Sequence, residues 1–168
     1  MTMWQKIKNI YHLMVAVIAN IVYWFPAKKL TVIGVTGTDG KTTTVNLIYH
    51  ILKSSNEKVS MISSIAAVID GKTYDTGFHV TTPSSFALQK FIRKAVSIRS
   101  KYFVLEVTSH AIDQQRIWGI PFKIGVITNI TNEHLDYHKT YDNYLKIKSK
   151  LARKRSTRGS SCLPGRIS

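Results

Sequence analysis

The chain has 168 residues, 44% of them hydrophobic, which suffices for one buried core with extensions and is too little for two full domains. Its 24 Lys+Arg against 9 Asp+Glu give a formal charge of +15, a balance that suits an anionic partner such as a polyphosphate, a membrane surface or nucleic acid. Cys162 is the single cysteine, which excludes an internal disulfide framework and a four-cysteine zinc site and fits a reducing cytoplasm.

Residues 1–29 read as an N-terminal apolar helix and linker. Ile10 to Phe25, IYHLMVAVIANIVYWF, is a mostly apolar run with Lys6 and Lys8 before it and Lys28 and Lys29 behind. It is shorter than the roughly 20 residues that span a bilayer, contains His12 and Asn20, and shows no small-residue cleavage site. The reading is a helix, closed by Pro26, that packs on the domain or a partner; peripheral contact of residues 10–25 with a membrane surface is the alternative.

From residue 30 to 151 strands and helices alternate. Leu30 to Thr36 is a β-branched run of strand length, and Thr42 to Leu52 carries apolar residues at Val45, Leu47, Ile48, Ile51 and Leu52 in helical spacing. Lys58 to Ser63 is a short strand, and Ile65 to Ile69 with Asp70-Gly71 and Lys72 to Tyr74 reads as a hairpin. A loop with His79, Thr81, Thr82 and Pro83 leads to a helix from Ser84 whose buried side takes Phe86, Leu88, Phe91, Ile92 and Ala95. Tyr102 to Val107 and Phe122 to Thr128 are two further core strands, and Tyr141 to Leu151 is the last helix. The fold class is therefore α/β, a mostly parallel sheet flanked by helices. Ligands of such sheets bind at the carboxyl ends of the strands, and Gly37–Thr42, Glu106–His110 and Asn129–His134 each follow a strand, so they should share one rim. Residues 152–168, a Ser/Gly/Arg-rich segment holding Arg153, Lys154, Arg155, Arg158 and Arg166, read as a basic, disordered tail.

The stretch VIGVTGTDGKTTT, Val32 to Thr44, carries the chemistry. GTDGKT follows an apolar strand and opens a helix, the context a phosphate-binding loop requires. Glycines let backbone N–H groups turn toward an anion, the helix N-terminus adds positive potential, Lys41 reaches the β and γ phosphates, and Thr42 offers a hydroxyl to magnesium. Gly37, Thr38, Asp39, Gly40, Lys41, Thr42 and Thr43, with Asn129, are thus assigned to the nucleotide. The commoner GxxxxGK[ST] spacing needs a glycine where Val35 stands, so this is the shorter GxxGKT form. Asp39 brings a negative charge near phosphates, which charge alone does not explain.

VTGTDGKTTT resembles the ATP-binding loop of the Mur ligases, usually written GTNGKTTT, which folylpolyglutamate and cyanophycin synthetases share. Two further stretches resemble the tripeptide synthetases of that family more narrowly. EVTSHAIDQQRIWGIPFKIGVITNITNEHLDYHKTYDNYLKIKSK is similar to EVSSHALxQxR followed by FTNLxxDHLDYHGTxxxYxxAK, and HVTTP to their substrate-contacting TTP. The resemblance runs from about Leu30 to Lys150, with three ordered motifs at compatible spacing.

This resemblance implies a P-loop NTPase-like central domain of a Mur ligase that uses ATP and Mg2+. It places Glu106 and His134 at the metal beside Thr42, with Glu133 where aspartate is usual. Lys148 matches a lysine typically carbamylated in the family; the alternative for it, between Lys146 and Lys150, is a solvated basic helix face. Lys41, His134 and Lys148 are the implied catalytic residues, and Thr81, Thr82, Thr108, Gln114 and Arg116 match positions that hold the substrate. The implied reaction activates the terminal carboxylate of UDP-N-acetylmuramoyl-L-alanyl-D-glutamate as an acyl phosphate, which the amine of a diamino acid attacks. The implied partners are that UDP-N-acetylmuramoyl-dipeptide and the diamino acid, with no nucleic acid, in a cytoplasmic monomer. Family members are three-part chains, so the expectation here is a fragment centred on the ATPase part, with a truncated or frameshifted end. Two other readings stay open: a nucleotide-binding interaction module with a basic tail, and another Mur or folylpolyglutamate-type ligase.

Overall fold

A computed structural model of the chain describes residues 3–76 and 82–129. The first helix, α1, spans Met3–Val22 and is followed by a 3-10 turn at Pro26–Lys29. Then come β1 (Thr31–Thr36), α2 (Lys41–Ser54), β2 (Val59–Ile62), β3 (Ala67–Ile69), β4 (Lys72–Tyr74), α3 (Ser85–Ser97), β5 (Tyr102–Glu106), α4 (Ser109–Asp113) and β6 (Phe122–Ile127). The sheet order is β4-β3-β2-β5-β1-β6. β2, β5, β1 and β6 run parallel, with Val35 opposite both Glu106 and Val126, while β3 and β4 extend the sheet as an antiparallel hairpin.

The two-residue period of the strands sorts their side chains into two cores. Val32, Ile62, Phe103 and Leu105 join Leu88, Ile92 and Ala95 of α3 on one face. Ile33, Val35, Met61 and Val104 join Val45 and Tyr49 of α2 on the other. Burying each large apolar side chain of this set is worth about 1.5–3 kcal/mol, which commits both helices to the sheet. α1 forms an additional layer, packed on α3. Asn20 ties it down by donating from Nδ2 to the Ala16 and Trp118 carbonyls, each at 2.8 Å.

Local signals set the helix starts. Gly40 takes a left-handed φ of 74° just before α2, and the Ser84 and Thr108 hydroxyls cap α3 and α4 by accepting from Ala87 N and Ala111 N. Four expectations need correction. Phe86 is 40% exposed rather than buried, because it sits two residues, or about 200° of helix, from Leu88. Fully buried Gln89 belongs to the covered side instead, since α3 packs on α1 as well as on the sheet. The third strand begins at Ala67, leaving Ile65 75% exposed in the preceding turn. Within 106–113 the strand-end group contains a short helix, α4, that the strand-and-loop reading omitted. Finally, α1 stops at Val22, before Pro26, because Trp24 and Phe25 turn left-handed. The expected helix 141–151, the tail 152–168, and the assignments to His79, Thr81, Glu133, His134 and Lys148 lie outside the described residues.

Candidate active site

β1 ends at Thr36, and the chain then turns through Gly37–Gly40 into α2. A side chain at residue 37 would not fit: a Cβ there would lie 1.8 Å from Thr128 Oγ1 and 3.2 Å from Asn129 N. The loop is braced from the end of β6. Asn129 Oδ1 accepts from the N–H groups of Thr38 (3.0 Å) and Asp39 (2.8 Å), and Thr128 Oγ1 donates to the Asp39 carbonyl at 2.6 Å. Asp39 therefore takes part through its backbone, and it is exposed to solvent, where water screens its carboxylate. Lys41 folds back over the loop, Nζ donating to the Thr38 carbonyl at 2.5 Å. The first N–H groups of a helix have no partner within it, so the start of α2 presents donors and positive potential to the same space.

Glu106, the last residue of β5, is 1% exposed. Its Oε2 accepts from Thr42 Oγ1 and Ser64 N, both at 2.9 Å, and its Oε1 from Ser64 Oγ at 2.6 Å. Adjacent parallel strands place Thr36 and Glu106 at one carboxyl edge, which is why residues 64 apart in sequence meet. Thr38, Asp39, Gly40, Lys41, Thr42, Thr43, Ser64 and Glu106 line an open cleft of about 360 Å³. A buried carboxylate held by neutral donors is an incomplete charge arrangement, one that a hard cation would complete. Among the described residues no group of three or more His, Cys, Asp or Glu side chains converges; two acids line the cleft, exposed Asp39 and buried Glu106, and Glu106 is the one in contact with the Thr42 hydroxyl.

A second cluster sits beside the first. Thr82 Oγ1 lies 3.3 Å from Thr108 Oγ1 and 3.4 Å from the Glu106 carbonyl, and Arg116 Nη1 donates to the Thr82 carbonyl at 2.8 Å. Ser85 Oγ donates to the Arg116 carbonyl at 3.1 Å, so α3, β5 and the segment after α4 are tied together here. Gln114, at the end of α4, is half-buried and donates its backbone N–H to the His110 carbonyl at 2.8 Å. α1 reaches toward this region as well. The His12 pKa is lowered from its ordinary 6.5 by burial first, then by the positive charges of Arg116 and Lys8.

Of the residues assigned from sequence, Gly37 to Thr43, Asn129 and Glu106 assemble at one end of the sheet, and Thr82, Thr108 and Arg116 assemble next to Glu106. Two partners escaped the sequence reading. Ser64 follows a strand in a Ser-Ser pair that reads as an ordinary turn, and Thr128 reads as the end of a strand. The adjacency of Thr128 to Asn129 was the one available hint.

A central parallel strand that ends in a braced glycine turn, a lysine folded over that turn, and a buried carboxylate beside the first hydroxyl of the following helix define an α/β domain of the P-loop type. Residues 35–165 match the Mur ligase middle domain, and the chain belongs to that family. It is 44% identical over 129 residues to a UDP-N-acetylmuramoyl-L-alanyl-D-glutamate–2,6-diaminopimelate ligase of Parabacteroides distasonis, covering 77% of this chain and 26% of that protein. A similarly named ligase of Clostridium acetobutylicum is 44% identical over 133 residues, covering 79% and 27%. A solved structure of such a 2,6-diaminopimelate ligase matches with a TM-score of 0.64 and 30% identity, over 73% of this chain and 24% of that one. MurF ligase of Thermotoga maritima in complex with ADP matches with a TM-score of 0.58 and 22% identity, over 82% and 30%, a likeness of fold. The chain thus spans about a quarter of the length of the curated relatives it matches.

Proposed function

We propose that this chain supplies the ATP site of a ligase that adds a diamino acid to UDP-N-acetylmuramoyl-L-alanyl-D-glutamate in peptidoglycan precursor synthesis, in the cytoplasm. The observation that carries the reading is the Thr42–Glu106 contact at the start of α2, within a chain that belongs to the Mur ligase family. Curated relatives named for that reaction, with 2,6-diaminopimelate as the diamino acid, support the substrate assignment.

The donor set fits magnesium, because a buried carboxylate and a hydroxyl in contact are hard oxygen ligands. Thr42 and Glu106 would hold it, joined in this proposal by His134 and a carbamylated Lys148; the ion would supply charge neutralisation as the γ-phosphoryl group departs. The Lys41 ammonium exchanges the Thr38 carbonyl for phosphate oxygens, and the N–H groups at the start of α2 hold the phosphates in line. Thr81, Thr82, Thr108, Gln114 and Arg116 position the substrate, Arg116 suiting a carboxylate or phosphate through its planar fork. One oxygen of the substrate carboxylate then bonds to the γ-phosphorus as the bond to ADP breaks. The incoming amine attacks the acyl carbon, phosphate leaves, the nitrogen gives up a proton, and an amide remains.

The test is calorimetric titration of the full chain with ATP, with and without magnesium. Binding is expected to require magnesium and to disappear in Lys41→Ala with the circular dichroism spectrum unchanged. Nucleotide-independent binding to nucleic acid that falls steeply with salt and survives Lys41→Ala, with no ATP bound by either protein, would instead identify a basic interaction module.

A further inference from the structure

The proposed ligase chemistry does not use the outer face of α1, and that face is built the wrong way round for a helix that only covers a core. Ile7, Ile10, Met14, Ile18 and Ile21 recur at helical spacing, each 50–58% exposed, and form one line down the side away from the domain. The inward side carries the small or polar Ala16, Ala19 and Asn20, all fully buried. A helix whose role ended with α3 would turn its large apolar side chains inward. Beyond the helix, Trp24 and Phe25 take left-handed φ values of 59° and 48°, a region that costs free energy for residues with side chains. Phe25 turns against Trp118, with ring centroids 6.4 Å apart, whereas Trp24 is left 82% exposed at the end of the apolar line.

The charges around this face select its occupant. No Asp or Glu occurs before Asp39, while Lys6, Lys8, Lys28 and Lys29 bracket the helix at both ends. A second copy of the same face would bring like charges together with no acid to pair them. An anionic lipid surface satisfies both features, since acyl chains take the apolar line, headgroups meet the lysines, and an indole at the edge suits the interface. No helix among the described residues is long and apolar enough to cross a membrane, so such contact lies in the plane of the surface. We propose that α1 and Trp24 form a lipid-docking face that holds this domain reversibly on a membrane containing anionic headgroups.

The experiment is flotation of the full chain with phosphatidylcholine vesicles and with phosphatidylcholine–phosphatidylglycerol vesicles, in the absence of nucleotide so that its outcome is independent of the ligase reading. The chain is expected to float with the anionic vesicles, less with the neutral ones, and progressively less as salt rises. Trp24→Phe should remove most of the blue shift in tryptophan emission that accompanies binding. Met14→Asp with Ile18→Asp changes solvent-facing positions and leaves every basic residue in place; it should lower vesicle affinity at least tenfold with the thermal unfolding midpoint unchanged. Undiminished flotation of that double variant would assign binding to the basic residues elsewhere and overturn the proposal. So would failure to float with either vesicle, or a dimer of the unmodified chain that the double variant dissociates.

Discussion

Replacing Glu106 by glutamine and by alanine separates what its carboxylate does for the fold from what it does for the ligand. Three donors converge on it: Thr42 Oγ1 and Ser64 N at 2.9 Å, and Ser64 Oγ at 2.6 Å. Glutamine can accept from Ser64 N and Thr42 with its carbonyl and offer its amide to Ser64 Oγ, so the network closes again without the charge. Glu106→Gln should therefore cost about 1 kcal/mol or less. Alanine leaves the Ser64 N–H and two hydroxyls facing a void, at about 1–3 kcal/mol for each group left unsatisfied, offset in part by removal of a buried charge. A net loss of about 3 kcal/mol lowers the midpoint by about 6–12 °C for a chain of this size. Ligand binding should follow the opposite logic, because only the charged form suits the metal. Saturating magnesium and ATP at about a hundredfold above Kd stabilises a native state by about 2.7 kcal/mol, a shift expected in the unmodified chain and absent from Glu106→Gln. Differential scanning fluorimetry with and without Mg–ATP reads both effects. If Glu106→Gln is as unstable as Glu106→Ala, or keeps the nucleotide-dependent shift, the assignment of Glu106 as the ligand-facing carboxylate is wrong.

Two further outcomes are expected. Gly37→Ala places a methyl group 1.8 Å from Thr128 Oγ1, so the loop or β6 must shift, costing about 1–3 kcal/mol; ATP affinity should fall, and Thr128→Ala should restore part of the stability in a non-additive way, whereas an unchanged midpoint and affinity would refute the close approach. His12 binds its proton less readily in the folded chain than its ordinary 6.5, so the unfolded chain holds more protons just below that pH. Stability should decline as pH falls below about 6.5 and stay flat above it. In Arg116→Met the His12 resonance, followed by NMR, should titrate at higher pH, and an unchanged titration would show that α1 does not lie beside Arg116.

The glycine turn between β1 and α2 was legible because its signal is local: an apolar strand, then Gly37, Gly40, a lysine and hydroxyls within thirteen residues, all explained by the turn they make. The same holds for the hairpin turn at Asp70-Gly71, where both residues take positive φ. Glu106 stood out as an acid ending an apolar strand. Its partner Ser64 did not, because a serine in a turn has many bland explanations and only the pairing of β2 with β5 brings it within 2.6 Å. Phe86 is exposed and Gln89 buried, outside the expected buried set, for a similar reason: a helix covered on two sides buries positions that a single-stripe pattern leaves out.

Sequence alone determined the α/β class, the succession of the described strands along the chain, the position of the glycine turn between β1 and α2, and the family, since each rests on local periodicities and turns or on contiguous motifs. Tertiary structure decided which side of α1 faces the domain, that Thr128 and Asn129 hold the loop from a neighbouring strand, and that Thr82, Thr108 and Arg116 form one cluster. Those outcomes depend on strand order and on how elements far apart in the chain pack. A side chain's neighbours across a sheet are set by that packing, and no local pattern of residues encodes them.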